Sequence, residues 1–396
     1  MNPKTIFIIL SLFASACLPA QKIIPILKVI DESLDFSVKQ YNRMADSLIN
    51  KPGLLPRSFN KGDSLVTCES KWWTSGFFPG SLWYLYEYSH KNEIKSVAEL
   101  FTARVEDQQY TKDNHDVGFM IYCSFGNGYR ITGNPKYKDV ILRASKSLST
   151  RFKPEVGCIR SWDWGTWQYP VIIDNMMNLE LLFFASHSPG YEMMVKIARS
   201  HADVTLANHF RRDGSCYHVV SYDSITGKAV IHQTRQGFSD QSSWARGQGW
   251  ALYGFTMCYR ETRDAKYLTQ AKKVAGFLLN HPKLPNDKIP YWDFDDPAIP
   301  NSPRDASAGA IICSALIELS QYVDKKNSER YLNVAEIQIR NLSSPDYRAK
   351  SGENGNFILK HSVGSRPEES EVDVPLSYAD YYYIEAMMRY KHLLKN

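Results

Sequence analysis

The chain has 396 residues, of which 43% are hydrophobic, 13% aromatic and 22% charged, and its formal net charge is +5. This composition predicts a folded globular protein with a large core and excludes a disordered chain. The positive charge is mild and contains no block of Lys and Arg, so it indicates no nucleic-acid partner, although it is compatible with an acidic substrate.

Residues 1–20 have the pattern of a secretory signal peptide rather than of a folded element. Lys4 supplies a positive start, Ile6 to Ala14 form an apolar run too short to span a bilayer, and Ala14-Ser15-Ala16 is a small-residue cleavage site. Cys17 follows that site, so the segment also allows lipid attachment there. We therefore predict export, either to the periplasm as a soluble protein or to a membrane through a lipid anchor.

The cysteines and short motifs indicate neither a metal nor a cofactor. Seven cysteines are scattered without a C-x-x-C pair or a Cys/His cluster, which argues against a disulfide scaffold and a zinc site and predicts buried small hydrophobes. The chain has no nucleotide fingerprint, phosphate loop, nucleophile elbow or metal-ligand spacing. We therefore predict no metal and no cofactor.

Five regions repeat one pattern, an apolar helix rich in small residues followed by a polar turn and an amphipathic helix. The predicted first helices are residues 76–90, 116–132, 174–187, 244–262 and 306–323, and the second helices are residues 93–106, 135–151, 190–208, 264–281 and 326–342. Further helices near residues 31–49 and 377–394 complete six hairpins.

A two-helix unit that recurs at a long period predicts a stacked helical array. Since the first helices are nearly apolar throughout, we expect them to form the inner ring of a closed array. The sequence therefore predicts an all-α protein, an (α/α)6 toroid, with residues 21–396 as a single domain. Residues 209–243 and 282–305 are predicted to be loops or short strands.

Polar or aromatic clusters precede four of the inner helices, at residues 72–76, 114–119, 162–174 and 241–250. In a toroid the N-termini of all inner helices open on the same face. We therefore expect these clusters to converge on one pit, although they are far apart in the sequence.

Two carboxylates are the candidate catalytic groups. Asp174 follows the aromatic stretch Trp162-Asp163-Trp164-Gly165-Thr166-Trp167, and Asp116 occupies the same position one hairpin earlier. A carboxyl group in apolar surroundings has a raised pKa and can act as a general acid, and two nearby carboxylates suit acid/base chemistry on sugars. Helix capping is the alternative for both. Asp305 begins another inner helix without aromatic neighbours and is predicted to be structural.

Other side chains could contact a substrate, and each also has a structural alternative. His115 and His218 could bind it, and His115 could tune Asp116 through its charge. The Arg246 fork, near Gln236, could bind a substrate carboxylate, whereas a structural arginine is the alternative. Aromatic candidates for a sugar platform or for the core are Trp73, Trp162, Trp244 and Trp250. The late loop with Ser365 and Arg366 could close the rim over an anionic group.

The chain resembles the unsaturated glucuronyl hydrolases of glycoside hydrolase family 88. The resemblance rests on motifs that run in order along nearly the whole mature chain: Trp73-Thr74-Ser75-Gly76-Phe77-Phe78-Pro79-Gly80, His115-Asp116-Val117-Gly118-Phe119, Ile173-Asp174-Asn175-Met176-Met177-Asn178-Leu179, Gln236-Gly237-Phe238-Ser239-Asp240, Ser243-Trp244-Ala245-Arg246-Gly247-Gln248-Gly249-Trp250 and Ala379-Asp380-Tyr381-Tyr382-Tyr383-Ile384-Glu385-Ala386. Each motif is weak by itself, and together they are specific.

The resemblance implies an (α/α)6 barrel that removes a 4,5-unsaturated uronic acid from the non-reducing end of oligosaccharides made by polysaccharide lyases, by hydration of the vinyl ether. It implies that Asp174 is the catalytic acid/base and that Asp116 holds ring hydroxyls and assists. It further implies substrate contacts by His115, Trp73, Trp162, His218, Gln236, Arg246 and Trp250. The late loop matches sulfate-contacting positions poorly, although Ser365 and Arg366 could serve.

Two other functions remain open at this point. An unsaturated rhamnogalacturonyl hydrolase shares the toroid and an Asp acid, but the Trp-Ala-Arg-Gly-Gln motif and the His115-Asp116 pair favour the glucuronyl hydrolase. A non-catalytic glycan-binding toroid would keep the tryptophans and would not need an acid in an apolar setting.

Overall fold

The computed structural model describes residues 24–60 and 62–395. The α-helices in this part of the chain are α1 (Ile26–Leu48), α2 (Phe77–Ser89), α3 (Asn92–Ala103), α4 (Asn127–Thr132), α5 (Pro135–Ser149), α6 (Leu179–Ser186), α7 (Met193–Asn208), α8 (Ala245–Thr262), α9 (Ala265–Asn280), α10 (Ala306–Leu319), α11 (Lys325–Leu342) and α12 (Ser377–Leu393). A π-helical segment, Gly118–Gly126, precedes α4, and a 3-10 segment, Ile173–Asn178, precedes α6.

The even-numbered helices form a closed inner ring. The π segment leads into α4 and the 3-10 segment leads into α6, so each pair forms one member of the ring. Going round the ring, α2 contacts the π segment, the π segment contacts the 3-10 segment, and the ring continues through α8, α10 and α12 back to α2. Every residue of α10 is buried, as expected for a helix with neighbours on all sides. The outer helix α11 instead buries one stripe, Tyr331, Val334, Ala335, Gln338, Ile339 and Leu342. The predicted (α/α)6 toroid is confirmed.

Two inner helices differ from the prediction because they do not begin as α-helices. The predicted helix 116–132 begins with the π segment, and the predicted helix 174–187 begins with the 3-10 segment. Close backbone contacts accompany this change. A Cβ on Gly76 would lie 2.2 Å from the carbonyl oxygens of Phe119 and Met120, so only glycine allows α2 to begin against the π segment.

Short antiparallel strands cover the end of the toroid where the inner helices begin. They form the pairs β1–β2 (Leu55–Phe59, Leu65–Cys68), β3–β4 (Phe152–Lys153, Cys158–Ile159) and β8–β9 (Ser362–Ser365, Ser370–Val374), and the sheet β5–β6–β7 (Pro170–Ile172, Val219–Tyr222, Ala229–Gln233). The strands β6 and β7 lie in the predicted connection 209–243, whereas the other seven strands, β1 to β5, β8 and β9, were not predicted. Such short strands carry no long alternating pattern in the sequence.

The predictions for the N-terminus concern residues 1–20 and Cys17, which lie outside the described residues. No helix in residues 24–60 and 62–395 is long and apolar enough to cross a membrane. The described cysteines are free thiols, and Cys158, Cys216, Cys258 and Cys313 are buried, as the sequence predicted for most of them.

Candidate active site

A cavity of about 290 Å³ lies where the inner helices begin. It is lined by Lys71, Trp72, Trp73, Asn114, His115, Asp116, Ser161, Trp162, Trp164, Ile172, Asp174 and Gln236. Three of the four clusters predicted to converge therefore meet there, and the fourth, residues 241–250, lies outside the lining. A larger open groove of about 1100 Å³ runs along Phe36, Phe59 and Pro375, and none of the predicted site residues lines it.

Asp174 is the more buried of the two acids in this cavity, with 7% of its surface exposed. The pairing of β5 with β6 places Ile172 opposite Val219, and the Ile173 amide donates to the His218 carbonyl at 3.0 Å. This register brings His218 Nε2 to 3.7 Å from Asp174 Oδ2. No side chain caps the 3-10 segment that carries Asp174. Helix capping is therefore not the role of this carboxylate.

Asp116 precedes the π segment, which also has no side-chain cap. Its side chain is 20% exposed, and His115 Nε2 lies 3.5 Å from its Oδ1. The π segment contacts the 3-10 segment, so the two acids are borne by adjacent inner helices, as predicted. Asp305 differs from both because it caps α10 by accepting from the amides of Ser307 and Ala308. Its predicted structural role is confirmed.

Both acids have a raised pKa. Burial raises the pKa of Asp174 to about 7, although the charge of Arg246, a backbone amide and the Trp250 indole oppose this. Burial and then the charge of Asp174 raise the pKa of Asp116 to about 8, against the lowering effect of Arg151. Because the two carboxyl groups interact, each titration step is a property of the pair and not of one residue. The pair can therefore hold and donate a proton near neutral pH, as a general acid requires.

The hydrogen bonds of His218 define its tautomer. Its Nδ1 accepts from the backbone amides of Arg235 and Gln236 at 3.0 and 3.2 Å. In a neutral ring the proton therefore sits on Nε2, the nitrogen that faces Asp174. Burial lowers the pKa of His218 to about 3, so this side chain is an uncharged donor at neutral pH.

His115 is also neutral, because burial lowers its pKa to about 3. The expectation that it tunes Asp116 through its charge is therefore wrong. Its backbone amide donates to the Ser161 carbonyl at 3.1 Å, which fixes the His115 backbone beside the loop that carries Trp162. His115 is thus placed to contact a ligand as an uncharged group.

Aromatic side chains from two parts of the chain line the cavity. Trp73 packs against Phe119 and Tyr378, with ring centroids 5.5 and 4.9 Å away. Trp162 is 9% exposed and stacks on Trp164 at 4.7 Å with an interplanar angle of 15°. Walls of this kind present flat apolar faces next to the carboxylates, which suits a sugar ring.

Gln236 lines the cavity, and its side-chain amide donates to the Gly364 carbonyl at 3.0 Å. Five other predicted contact residues, His218, Arg246, Trp250, Ser365 and Arg366, are not among the lining residues. Trp250 is fully buried against Phe119 and Tyr382, and Ser365 is 6% exposed. Arg366 faces solvent and lies 3.8 Å from Glu369. Their substrate contacts stay predictions.

Arg246 is buried, with 1% of its surface exposed. One terminal nitrogen donates to the Val363 carbonyl, and the other donates to the Gly364 carbonyl at 2.7 Å. The first also lies 3.4 Å from the buried Asp305 carboxylate. The fork therefore ties α8 to α10 and β8, and protein groups occupy the positions expected for a substrate carboxylate.

Sequence reasoning did not assign roles to two residues that shape this site. Trp164 lines the cavity and is 53% exposed. Its place in the Trp-rich stretch is a sequence signal that could have indicated this role. Arg151 binds both carboxylate oxygens of Asp163 at 2.9 and 3.0 Å and so anchors the loop between Trp162 and Trp164. Arg151 follows an outer helix, and nothing in its local sequence indicates this contact.

The raised pKa values predict how activity depends on pH. A general acid acts only while protonated, so we expect kcat/KM to fall as pH rises through about 7 to 8, the range of the two carboxyl pKa values. A pH–rate profile between pH 5 and 9 checks this. A profile that rises through this range would instead indicate that a deprotonated pair starts the reaction.

The part of the chain that the structure describes contains no group of three or more His, Cys, Asp or Glu side chains arranged to hold a metal ion. The polar lining residues of the cavity are Lys71, Asn114, His115, Asp116, Ser161, Asp174 and Gln236, and His218 Nε2 lies 3.7 Å from Asp174 Oδ2. This set can exchange protons and donate hydrogen bonds to a sugar.

Known proteins resemble this chain over nearly its whole length. Residues 57–392 match the model of Glycosyl Hydrolase Family 88. An unsaturated glucuronyl hydrolase of Formosa agariphila is 46% identical over 366 residues, which cover 90% of this chain and 91% of the relative. An unsaturated chondroitin disaccharide hydrolase of Streptococcus agalactiae is 31% identical, with 91% of each chain covered.

The fold comparison agrees with the sequence comparison. The crystal structure of an unsaturated glucuronyl hydrolase specific for heparin superposes with a TM-score of 0.91 at 47% identity, covering 93% of this chain and 98% of the other. A Streptococcus agalactiae unsaturated glucuronyl hydrolase superposes with a TM-score of 0.86 at 30% identity, covering 93% of each. The chain therefore belongs to glycosyl hydrolase family 88.

Proposed function

We propose that this enzyme removes a 4,5-unsaturated uronic acid from the non-reducing end of glycosaminoglycan-type oligosaccharides that polysaccharide lyases release. The observation that carries the proposal is the coupled pair Asp116 and Asp174, which holds a proton near neutral pH inside an aromatic-walled cavity of about 290 Å³. Relatives named for unsaturated glucuronyl and chondroitin disaccharide hydrolysis support the substrate class.

In the proposed mechanism, water adds across the C4=C5 bond of the sugar. Asp174 transfers its proton to C4, and a water molecule forms a bond to C5 and returns a proton to the Asp174 carboxylate. The product is a hemiketal at C5. The C5–O5 bond of this hemiketal then breaks, giving a C5 ketone and a hemiacetal at C1, which releases the rest of the glycan as an alcohol.

The neighbours of Asp174 have distinct proposed roles. His218 presents an uncharged Nε2–H toward the acid and can donate a hydrogen bond to the sugar or to the attacking water. Asp116 binds ring hydroxyls, and burial together with the charge of Asp174 raises its proton affinity. Trp73 and Trp162 supply the apolar faces on which the ring lies.

A substrate panel tests the proposal. We expect the ultraviolet absorbance of the unsaturated uronate to decay with disaccharides derived from chondroitin, heparin or hyaluronan. A rhamnogalacturonan-derived disaccharide in the same panel tests the rival activity. Binding without decay on any of these would show a glycan-binding toroid instead of an enzyme.

We also propose that the chain is exported, because residues 1–20 have the charge and hydropathy pattern of a signal peptide. Export to the periplasm and lipid attachment at Cys17 are distinguished by fractionating cells that express the full chain and its Cys17→Ser variant. A lipid anchor predicts that only the unaltered chain is found with membranes, and retention of both in the cytoplasm would contradict export.

A further inference from the structure

One buried contact joins the two inner helices that carry the acids. Asn178, which is fully buried, accepts a hydrogen bond through Oδ1 from the Phe119 backbone amide at 2.9 Å. Asn178 follows Asp174 by four residues, and Phe119 follows Asp116 by three. The contact therefore lies about one helical turn below both carboxylates.

The hydrogen bond satisfies a donor that helical geometry leaves free. Phe119 is the second residue of the π segment, and the first amides of a helix have no acceptor within it. Asn178 supplies that acceptor from the neighbouring hairpin. Losing it would leave a buried amide without a partner, which is unfavourable.

Backbone packing at the same place sets the spacing of the two segments. A Cβ on Gly118 would lie 2.6 Å from Asn178 Cα, so the π segment approaches the 3-10 segment as closely as backbone atoms allow. The Phe119 ring continues this contact to Trp73 and Trp250, with centroids at 5.5 and 5.3 Å. A shift at Asn178 would therefore move Asp116 and part of the aromatic wall together.

The NH2 group of the Asn178 side chain indicates that this residue does not serve packing alone. Its Nδ2 has no hydrogen-bond partner among the described residues, although the residue is fully buried. Burying an unpaired amide donor lowers stability. An apolar residue would avoid this penalty but could not accept from Phe119.

We propose that Asn178 is a positioning residue that fixes the distance between Asp116 and Asp174 through its hydrogen bond to the Phe119 amide. The inference rests on the proposed function, since it assigns Asn178 to the reaction of these acids. Repulsion between two carboxylates depends on their separation and on the exclusion of water. Loss of the bond is therefore expected to separate the acids and to admit water between them.

The test compares Asn178→Ala and Asn178→Ser, which lose or shorten the acceptor, with Asn178→Asp, which keeps an oxygen at the same reach. For the first two we expect kcat to fall by about 10- to 100-fold with KM within about threefold, since small misplacements of reacting groups have effects of this size. We also expect the basic limb of the pH–rate profile to move to lower pH. Asn178→Asp should keep kcat within about threefold at pH 5.5, where a buried carboxyl carries its proton.

Asn127→Ala is the matched control, because Asn127 is a buried amide at the end of the π segment remote from the acids and donates to the Cys123 carbonyl and Tyr381. Asn127→Ala should lower the melting temperature and leave the basic limb of the pH–rate profile unchanged. The positioning role is overturned if the limb does not move in Asn178→Ala and Asn178→Ser, or if Asn178→Asp loses as much kcat at pH 5.5 as they do. Should Asn178→Ala not fold, Asn178→Ser decides. An unaltered enzyme that turns over no panel substrate would refute the proposed function instead.

Discussion

Asp174→Asn is expected to lower kcat by at least about 10³-fold while the protein remains folded, because removal of a positioned acid/base typically costs about 10²- to 10⁴-fold. The amide has nearly the same shape as the acid but cannot give a proton to C4. Steady-state assays on the best disaccharide of the panel measure the loss, and circular dichroism checks the fold.

Stability measurements on the same variant separate catalysis from structure. The raised pKa of Asp174, about 7, means that the folded state binds more protons than the unfolded state between pH 4 and 7. The free energy of unfolding of the unaltered enzyme therefore falls as pH rises through this window. Asp174→Asn lacks this effect, so the variant should be the more stable of the two at pH 8, by on the order of 2–4 kcal/mol, and the difference should shrink toward pH 4.

Asp113→Asn is the matched control for this experiment. Asp113 is an exposed carboxylate three residues before Asp116 and is not part of the cavity lining. Its turnover and its free energy of unfolding at pH 7 should match those of the unaltered enzyme. Unfolding of Asp174→Asn at pH 7, with Asp113→Asn intact, would show that Asp174 has a structural role.

Arg246→Ala is expected to destabilise the fold by about 3–5 kcal/mol, because it leaves a buried carboxylate without its cationic partner. The fork holds the Val363 and Gly364 carbonyls and lies 3.4 Å from Asp305 Oδ2. Urea unfolding at pH 7 measures the loss. Arg246→Lys cannot donate to both carbonyls at once, so it should also lose stability. Because it keeps the positive charge beside Asp305, its loss should be smaller than that of Arg246→Ala.

Arg366→Ala supplies the comparison for Arg246. Its ion pair with Glu369 is exposed, so the free energy of unfolding should change by less than about 1 kcal/mol. If Arg246 acted only by binding a substrate carboxylate, Arg246→Ala would raise KM and leave stability unchanged. That outcome would contradict the structural role that its buried contacts indicate.

The sequence determined the toroid because the information for it is local. Each hairpin combines an apolar helix with an amphipathic one, and the residues of α11 that face the core recur at the spacing of one helix face. The position of Asp116 and Asp174 at the starts of neighbouring inner helices also followed from this repeat. Topology then placed them near each other without any long-range contact being known.

Only the tertiary structure decided the state and surroundings of these acids. The π segment, the 3-10 segment and the strand register that places His218 beside Asp174 arise from contacts between distant parts of the chain. The role of Arg246 was also decided by the tertiary structure. From the sequence, a guanidinium at the start of a helix could bind either a substrate or other groups of the protein. Its acceptors, Val363 and Gly364, are more than a hundred residues away, and burial against them is a property of the folded chain. Desolvation, which raises the pKa of Asp174, likewise exists only once the ring has closed.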